Sequence, residues 1–243
     1  DSGVGRLPEP EQIVQVALAI AGPKDLVGFN FVITAGGTQE PIDPVRFLGN
    51  KSSGKQGLAI ARAAYARGAN VRLIAANFDS IEAFDVVKVS TSLEMAEALA
   101  DVNPDTDCLV MAAAIGDFRS EKVSTEKIKK TPATESLTLN LVRTPDLLAE
   151  TTSRLKSESA GTIVVGFAAE TTNDDDSLKQ VAFEKLQRKG CDLLVANNVS
   201  DGRVFGLDEN QVLIVSKDQR VEEITGSKTA IANSLLSQVA ELQ

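Results

Sequence analysis

The fold is decided by residues 31–57, which read FVITAGGTQEPIDPVRFLGNKSSGKQG. The stretch begins as a buried strand, predicted over Phe29–Thr34, and continues as a polar loop that Pro41 and Pro44 stiffen. A glycine-rich turn follows and opens a helix predicted over Gln56–Arg67. A strand, a long loop and a helix start in this order are typical of a ligand-binding site.

Glycines occupy both turns of this stretch, at Gly36, Gly37, Gly54 and Gly57. Without a β-carbon they let the backbone come close to an anion, and the free N–H groups at the start of the helix favour negative charge there. The sequence therefore predicts a phosphate-bearing ligand at these turns.

Two general nucleotide motifs compete for the same stretch. Residues 49–56 have the spacing of a P-loop through its lysine, but Gln56 stands where Ser or Thr would hold Mg²⁺, and the run lies about fifteen residues past the strand. The dinucleotide fingerprint Gly-x-Gly-x-x-Gly is missing from residues 35–38. A Rossmann-type NAD(P)-binding oxidoreductase is therefore only an alternative, and Tyr65, inside a predicted helix, would be a poor acid for hydride transfer.

Composition narrows the class of protein. A chain of 243 residues with 43% hydrophobic residues can bury one sizeable core, so one domain is predicted over residues 1–243. The net charge of −9 disfavours binding to nucleic acid or to an anionic membrane, so that any phosphate must be held by local clusters of basic residues. No apolar run reaches the roughly eighteen residues of a membrane span, and a cytoplasmic protein is predicted.

The chain contains no histidine and two cysteines. Catalysis by imidazole and metal sites with histidine ligands are therefore excluded within this chain, which leaves Lys, Arg, Asp, Glu, Asn and backbone groups. Cys108 and Cys191 lie in apolar, strand-like runs, so we expect both thiols in the core and no disulfide framework.

Strand and helix patterns alternate along the chain. Helices are predicted over residues 9–21, 56–67, 92–100, 145–156, 177–189 and after Gly226, and strands over residues 29–34, 70–76, 86–89, 107–114, 137–142, 162–168, 192–196, 211–216 and 221–224. This alternation favours an α/β fold with a mostly parallel sheet and an antiparallel edge near the end of the chain. Because ligands bind beyond the carboxyl ends of such strands, residues 35–38, 113–117, 166–170 and 196–199 are expected to line one crevice.

A carboxylate and a basic run follow the apolar strand at residues 107–114. Asp117 could hydrogen-bond a ribose or help to hold a metal, and Lys127, Lys129 and Lys130 could neutralise a polyphosphate. A solvated basic loop is the plain alternative for such a run, and chemistry alone leaves the choice open.

Five motifs in order resemble those of bacterial phosphopantothenoylcysteine synthetases: TAGGTQEPIDPVR at residues 34–46, NKSSGK at 50–55, AAIGD at 113–117, KIKK at 127–130 and GFAAET at 166–171. These synthetases form the C-terminal half of a bifunctional coenzyme A biosynthesis enzyme whose N-terminal half is a flavin-dependent decarboxylase. The similarity covers almost the whole chain. Residues 1–6 resemble the last loop of the decarboxylase half, so residues 1–25 are expected to be a linker and an N-terminal helix.

The resemblance implies a Rossmann-like three-layer sandwich and a ligase reaction. In the family, 4′-phosphopantothenate reacts with CTP to give an acyl-cytidylate and pyrophosphate, and L-cysteine then displaces CMP and forms the amide. The resemblance also implies Mg²⁺ on the triphosphate, a fused decarboxylase half that alone would carry FMN, and a homodimer formed by small strands at residues 137–142 and 211–224. Eukaryotic relatives use ATP, so the nucleotide preference stays open.

Catalytic residues carry over from the family by position. Lys127 matches the lysine that the first half-reaction requires, and Asn50 matches the asparagine needed to convert the acyl-cytidylate into the amide. Arg46 matches a nearby arginine that could grip the substrate phosphate or carboxylate. A structural ion pair with Asp43 or Glu40 is the alternative for Arg46.

The nucleotide is expected to contact a larger group of residues. This group comprises Gly36, Gly37, Ser53, Met111, Ala112, Ala113, Asp117, Lys127, Pro145, Asp146, Leu147, Leu148, Phe167, Lys185 and Lys189. Asp117 is also the candidate metal ligand. Lys185 and Lys189 are four residues apart and would share a helix face, whereas Phe167 could stack on the base or simply pack in the core.

Overall fold

The computed structural model describes residues 7–129, 136–159, 161–200 and 209–242. The expected linker at residues 1–6 and Lys130 of the basic run lie outside these ranges. The helices are α1 (Pro10–Ala21), α2 (Lys55–Ala66), α3 (Ser92–Ala100), α4 (Leu147–Glu158), α5 (Asp175–Lys189) and α6 (Lys228–Glu241). The strands are β1 (Asn30–Gly36), β2 (Gln39–Pro41), β3 (Phe47–Gly49), β4 (Asn70–Ala76), β5 (Asp85–Val89), β6 (Cys108–Met111), β7 (Phe118–Ser120), β8 (Leu141–Arg143), β9 (Ile163–Glu170), β10 (Leu193–Asn198), β11 (Glu209–Ser216) and β12 (Val221–Ser227).

One sheet of eight strands runs through the molecule in the order β12-β11-β10-β9-β6-β1-β4-β5. The strands from β10 to β5 are parallel, whereas β11 pairs antiparallel with β10 and β12 pairs antiparallel with β11. This confirms the predicted α/β fold with a mostly parallel sheet and an antiparallel edge. In the middle of the sheet Phe31 lies opposite Cys108, so two segments that are distant in the sequence lie side by side.

Helices cover both faces of this sheet. α2 and α6 pack into one apolar cluster, where Ile60 and Leu235 are fully buried. α3, α4 and α5 pack into a second cluster, which contains Leu99, Leu155 and Leu186. Alternate residues of the central strands join the two clusters in turn, because successive side chains of a strand point to opposite faces. The result is a helix–sheet–helix sandwich.

The strand β6 lies in the middle of the sheet and corresponds to a continuous apolar run in the sequence. All four residues of Cys108–Met111 are buried, since both faces of the strand are covered. The two thiols lie in the core as expected, with Cys108 and Cys191 exposed by 0% and 1%. Burial raises the pKa of both thiols, that of Cys191 to about 12, so neither is a nucleophile at neutral pH.

Two small antiparallel pairs, β2 with β3 and β7 with β8, were not predicted. The strand predicted over residues 137–142 is wrong in extent, because only Leu141–Arg143 pairs, with Phe118–Ser120. Both pairs lie outside the main sheet. Their strands are too short to show the alternation of buried and exposed residues from which strands are predicted.

The helix α1 forms where it was predicted, but its apolar residues face outward. Ile13, Val14 and Leu18 are exposed, whereas Gln15 is buried. The helix packs on α2, and its polar face forms hydrogen bonds with the loop at residues 81–83. None of the helices in the described ranges has the length and apolar character that crossing a bilayer needs.

Candidate active site

A cavity of about 700 Å³ opens at the carboxyl ends of the parallel strands. Its wall includes residues 111–118 at the end of β6, residues 167–169 in β9 and Asn197 in β10. The end of β1 contributes indirectly, because the chain passes through the β2–β3 hairpin before residues 50–57 reach the wall. The volume suits a ligand of nucleotide size.

Two glycines that were expected to meet the nucleotide, Gly36 and Gly37, lie behind the wall and not in it. Gly36 has a φ of +89°, and a β-carbon there would lie 2.0 Å from the carbonyl oxygen of Ala76. A β-carbon on Gly37 would lie 3.3 Å from the carbonyl oxygen of Asn50. Both glycines therefore allow neighbouring backbones to approach, and Gly37 supports the loop that carries Asn50.

Asn50 lies against the turn that follows β6. Its Nδ2 donates a hydrogen bond to the carbonyl oxygen of Ile115 at 3.3 Å. The same turn is held by two threonines: the N–H of Gly116 donates to Thr38 Oγ1 at 2.9 Å, and Thr144 Oγ1 donates to the Gly116 carbonyl at 2.5 Å. Neither threonine was predicted from the sequence, because the residues next to a loop threonine do not indicate a hydrogen-bond partner that is distant in the chain.

Most residues expected to hold the nucleotide line the cavity together. These are Ser53, Met111, Ala112, Ala113, Asp117, Pro145, Asp146, Leu147, Leu148, Phe167, Lys185 and Lys189. The backbone after β6 is fixed by Thr34, whose Oγ1 accepts a hydrogen bond from the N–H of Ala113 at 3.0 Å. Phe167 and Leu148 give one side of the wall an apolar surface.

Two lysines near the end of α5 reach the cavity from one helix face, as their spacing predicted. Lys185 forms an ion pair with Glu170, and Lys189 forms one with Asp146. Although partial burial acts to raise it, the pKa of Asp146 is lowered because Lys189 donates a hydrogen bond to the carboxylate. Each of the two lysines therefore has a neighbouring carboxylate as its partner.

The wall of the cavity is much more basic than the chain as a whole. It contains six basic residues, Lys51, Lys55, Arg143, Lys185, Lys189 and Lys228, and two acidic residues, Asp117 and Asp146, in a chain of net charge −9. Such a cluster concentrates positive potential where an anion would enter. Lys51, Lys55, Arg143 and Lys228 were not among the residues expected to contact the nucleotide, although Lys55 is the lysine of the P-loop spacing considered for residues 49–56.

Three helices begin at this cavity. Lys55, Leu147 and Lys228 are the first residues of α2, α4 and α6, and all three line the wall. The helix predicted from Pro145 begins at Leu147, because Asp146 caps it by accepting a hydrogen bond from the N–H of Ala149 at 3.2 Å. Helix N-termini favour negative charge, so the wall is suited to a polyphosphate.

Arg46 and Lys127 stand outside the wall. Arg46 Nη2 contacts Asp43 Oδ2 at 2.5 Å and also donates to the carbonyl oxygen of Ile128 at 2.9 Å. The hydrogen bond from Arg46 holds the pKa of Asp43 well below its usual range. The structural ion pair considered for Arg46 is therefore present, and it anchors the segment that carries the exposed Lys127.

No group of three side chains able to ligate a metal occurs within the described ranges. Asp117 offers one exposed carboxylate in the cavity wall. Mg²⁺ takes most of its ligands from phosphates and water when it is bound with a nucleotide, so a single carboxylate fits such an ion.

Comparison with known proteins agrees with this geometry. Residues 26–242 match the family described as the DNA/pantothenate metabolism flavoprotein C-terminal domain. The chain belongs to this family. A curated relative from Mycobacterium bovis, the coenzyme A biosynthesis bifunctional protein CoaBC, is 43% identical over 253 residues, which cover 98% of this chain and 60% of the relative. The chain therefore spans less than two thirds of the length of this relative.

Solved structures extend the comparison for this flavoprotein C-terminal domain. The crystal structure of the C-terminal domain of a CoaBC protein is 32% identical, with a TM-score of 0.71, and the match covers 90% of this chain and 97% of that one. The DNA/pantothenate metabolism flavoprotein from Streptococcus pneumoniae gives a TM-score of 0.75 at 20% identity, covering 89% and 100%, and thereby supports the fold.

The hairpin between β1 and α2 also argues against both of the general nucleotide motifs. In this flavoprotein C-terminal domain the chain leaves β1, forms β2 and β3, and only then enters α2. A P-loop or a dinucleotide turn joins a strand directly to the following helix, and that connection is absent here.

Proposed function

We propose that this domain is a CTP-dependent phosphopantothenate–cysteine ligase of coenzyme A biosynthesis. A carboxylate oxygen of 4′-phosphopantothenate attacks the α-phosphorus of CTP, the bond to the β-phosphate breaks, and an acyl-cytidylate and pyrophosphate form. The amine of L-cysteine then attacks the acyl carbon, CMP leaves, and the amide forms with loss of a proton. Cytidylation is needed because a free carboxylate offers only oxide as a leaving group.

The observation that carries the proposal is the basic cavity with three helix starts beside Asn50. In an acidic chain this cluster is the part best suited to a nucleoside triphosphate. Further support comes from the five ordered motifs and from the curated relative, which is described as a coenzyme A biosynthesis bifunctional protein.

The roles of the wall residues follow from their charge and position. Lys185 and Lys189 bind the triphosphate with the help of the helix N-termini, and Phe167 together with residues 145–148 encloses the base. Asn50 orients the acyl group for attack by the amine. Asp117 would hold a Mg²⁺ ion bound with the nucleotide, and that ion would supply positive charge beside the triphosphate.

Lys127 has the proposed role of stabilising negative charge on the triphosphate during the first step. Because it lies outside the wall formed by its own chain, we place it in the cavity of a second copy within a homodimer. The edge strand β12 and the β7–β8 pair are the proposed contacts, since Phe118 and Leu141 of that pair are exposed by 47% and 44%. We also propose that the protein is cytoplasmic and that a decarboxylase half is fused to this domain.

Two variants test the proposed reaction. We expect Lys127→Gln to slow formation of the acyl-cytidylate by at least about a hundredfold, because a group that stabilises transition-state charge is lost. Asn50→Asp is expected to accumulate the acyl-cytidylate without converting it into the amide. Quench-flow with radiolabelled CTP, 4′-phosphopantothenate and L-cysteine separates the two steps, and Lys122→Gln, exposed on the same segment, is the matched control.

Normal amide output from Lys127→Gln or Asn50→Asp would contradict the proposed roles. The reaction itself would be ruled out if CTP were neither bound nor consumed in the presence of both co-substrates. Parallel runs with ATP measure the nucleotide preference.

A further inference from the structure

The helix α1 is attached to the domain by its polar side. Gln12 Nε2 donates a hydrogen bond to the carbonyl oxygen of Glu82 at 2.9 Å, and Gln15 Nε2 donates to that of Ile81 at 3.2 Å. Gln15 Oε1 accepts a third hydrogen bond from the N–H of Ala83 at 2.8 Å, and Gln15 itself is buried. These contacts define one orientation of the helix.

In that orientation the apolar residues of α1 are exposed to solvent. Val14, Leu18 and Ile20 are exposed by 57%, 56% and 73%, and Ile13 and Val16 by 39% and 40%. A helix on the surface of a monomer normally buries its apolar stripe, and a contiguous exposed apolar patch marks an interaction surface. The outward side of α1 therefore has the character of an interface.

The position of α1 separates this surface from the active site and from the proposed dimer contact. The helix packs on α2, which lies over β1 and β4, whereas β12 forms the opposite edge of the sheet. None of the residues of α1 lines the cavity.

The comparisons indicate what covers the helix. The family match begins at residue 26, so α1 lies outside the domain that the family shares. The curated bifunctional relative nevertheless matches 98% of this chain, and its remaining length lies on the N-terminal side, since the family is described as a C-terminal domain. The helix thus precedes the common domain and lies within the region that matches the bifunctional relative.

We propose that the apolar side of α1 docks into an apolar groove on the flavin-binding decarboxylase half that precedes this domain in the bifunctional relatives. The proposal rests on that fused half, which belongs to the proposed function, but not on the ligase chemistry. The composition of α1 disfavours a lipid surface as the occupant, because Glu11 is its only charged residue and membrane-surface helices are rich in Lys and Arg.

The test uses a variant that changes only the exposed side of the helix. Val14→Glu combined with Leu18→Lys places an acid four residues before a base, which supports the helix while removing its apolar surface. Leu93→Lys on α3, where Leu93 is exposed by 47%, is the matched control. Each chain is produced alone and joined behind the FMN-loaded decarboxylase half of the Mycobacterium bovis relative.

Hydrogen exchange of the α1 amides is then compared between the joined and the isolated forms. We expect exchange at least about tenfold slower in the joined form, and a return to the isolated rate with the double variant but not with Leu93→Lys. Ligase turnover is expected to be unchanged in the double variant, so that failure of this inference and failure of the proposed function give different results.

Three results would overturn the inference. The first is equal exchange in the joined and isolated forms. The second is a concentration-dependent mass increase of the isolated chain that the double variant abolishes, since the surface would then bind a second copy. The third is co-sedimentation of the isolated chain with vesicles of equal parts phosphatidylcholine and phosphatidylglycerol.

Discussion

At the scale of single residues, two lysines of the cavity form ion pairs with carboxylates of the protein. Lys185 pairs with Glu170 and Lys189 with Asp146. A triphosphate bound as proposed would replace these carboxylates, so each lysine would contribute the difference between two ion pairs and not the full energy of one.

Replacing Lys189 by Gln is therefore expected to weaken CTP binding moderately. The loss of a charge-assisted hydrogen bond should raise the Kd for CTP by about tenfold, equivalent to about 1.4 kcal/mol. Isothermal titration calorimetry measures it. Lys179→Gln, on the same helix but outside the wall, is the control, and equal affinities of the two variants would exclude Lys189 from the nucleotide site.

Asp192 joins three elements at the amino ends of β9 and β10, away from the cavity. Its Oδ1 contacts Lys156 Nζ at 2.8 Å and Lys217 Nζ at 3.1 Å, and its Oδ2 accepts a hydrogen bond from the N–H of Val164 at 2.9 Å. Burial acts to raise the pKa of Asp192, but the hydrogen bonds from Lys156 and Val164 outweigh it and lower the pKa below its usual value of 3.8.

We expect Asp192→Asn to lower the free energy of unfolding at neutral pH by roughly 1–3 kcal/mol, because buried charged hydrogen bonds are lost. A carboxylate with a lowered pKa stabilises the folded state fully above its unfolded value and loses that contribution as the pH falls through its folded value. The difference from the wild type should therefore shrink below about pH 3.8. Urea denaturation at several pH values measures it.

Asp79→Asn provides the control for this experiment. Asp79 also pairs with a lysine, Lys88, but both side chains are largely exposed, so little change is expected. A difference between Asp192→Asn and the wild type that stayed constant from neutral pH to pH 2 would contradict the electrostatic explanation.

At the scale of elements, the start of α2 depends on a left-handed turn. Gly54 is the residue before the helix, with a φ of +72°, and a β-carbon there would lie 2.8 Å from the ring of Phe78. Only glycine adopts this conformation without a steric cost, and the turn directs the first N–H groups of α2 toward the cavity.

Replacing Gly54 by Ala is expected to lower the free energy of unfolding by about 1–2 kcal/mol and to raise the KM for the anionic substrates. Thermal unfolding and steady-state kinetics measure the two effects. Gly161→Ala is the control, because nothing lies within 4 Å of a β-carbon there and its φ is not in the left-handed region. A Gly54→Ala protein as stable and active as Gly161→Ala would show that the turn tolerates other residues.

At the scale of the whole molecule, the positions of Asn50 and Lys127 suggest a shared site. Asn50 lines the cavity of its own chain, whereas Lys127 is exposed on a segment held outside it by Asp43 and Arg46. If a second copy supplies Lys127, each site in a homodimer combines residues of two chains.

Mixing two inactive variants distinguishes the arrangements. When Lys127→Gln and Asn50→Asp chains exchange subunits in equal amounts, half of the dimers are mixed and each has one intact site, so about a quarter of wild-type amide formation should return. If activity after exchange stays at the level of the separate variants, Lys127 acts within its own chain. A coupled assay of amide formation, with sedimentation to verify exchange, provides the measurement.

Much of the fold could be predicted from the sequence, because it depends on patterns local to each element. The helix α3 has the predicted limits, Ser92–Ala100, since Thr91 caps it by accepting a hydrogen bond from the N–H of Glu94 at 3.2 Å. The buried strand at Cys108–Met111 follows from its continuous apolar run. The clustering of strand ends follows from the parallel sheet, which is why most of the expected nucleotide residues line one cavity.

Other features depended on contacts between distant segments, which no local pattern records. The sequence by itself determined the alternation of the main-sheet strands with helices along the chain, the α/β class and the buried thiols, through the periodicity and apolarity of each segment. Only the tertiary structure decided that Arg46 pairs with Asp43, that Lys228 joins the cavity wall, and that α1 presents its apolar side to solvent. The physical reason is that a polar side chain can be buried only where it finds hydrogen-bond partners. Gln15 finds them in the backbone of residues 81 and 83, and only the folded chain brings these distant segments together.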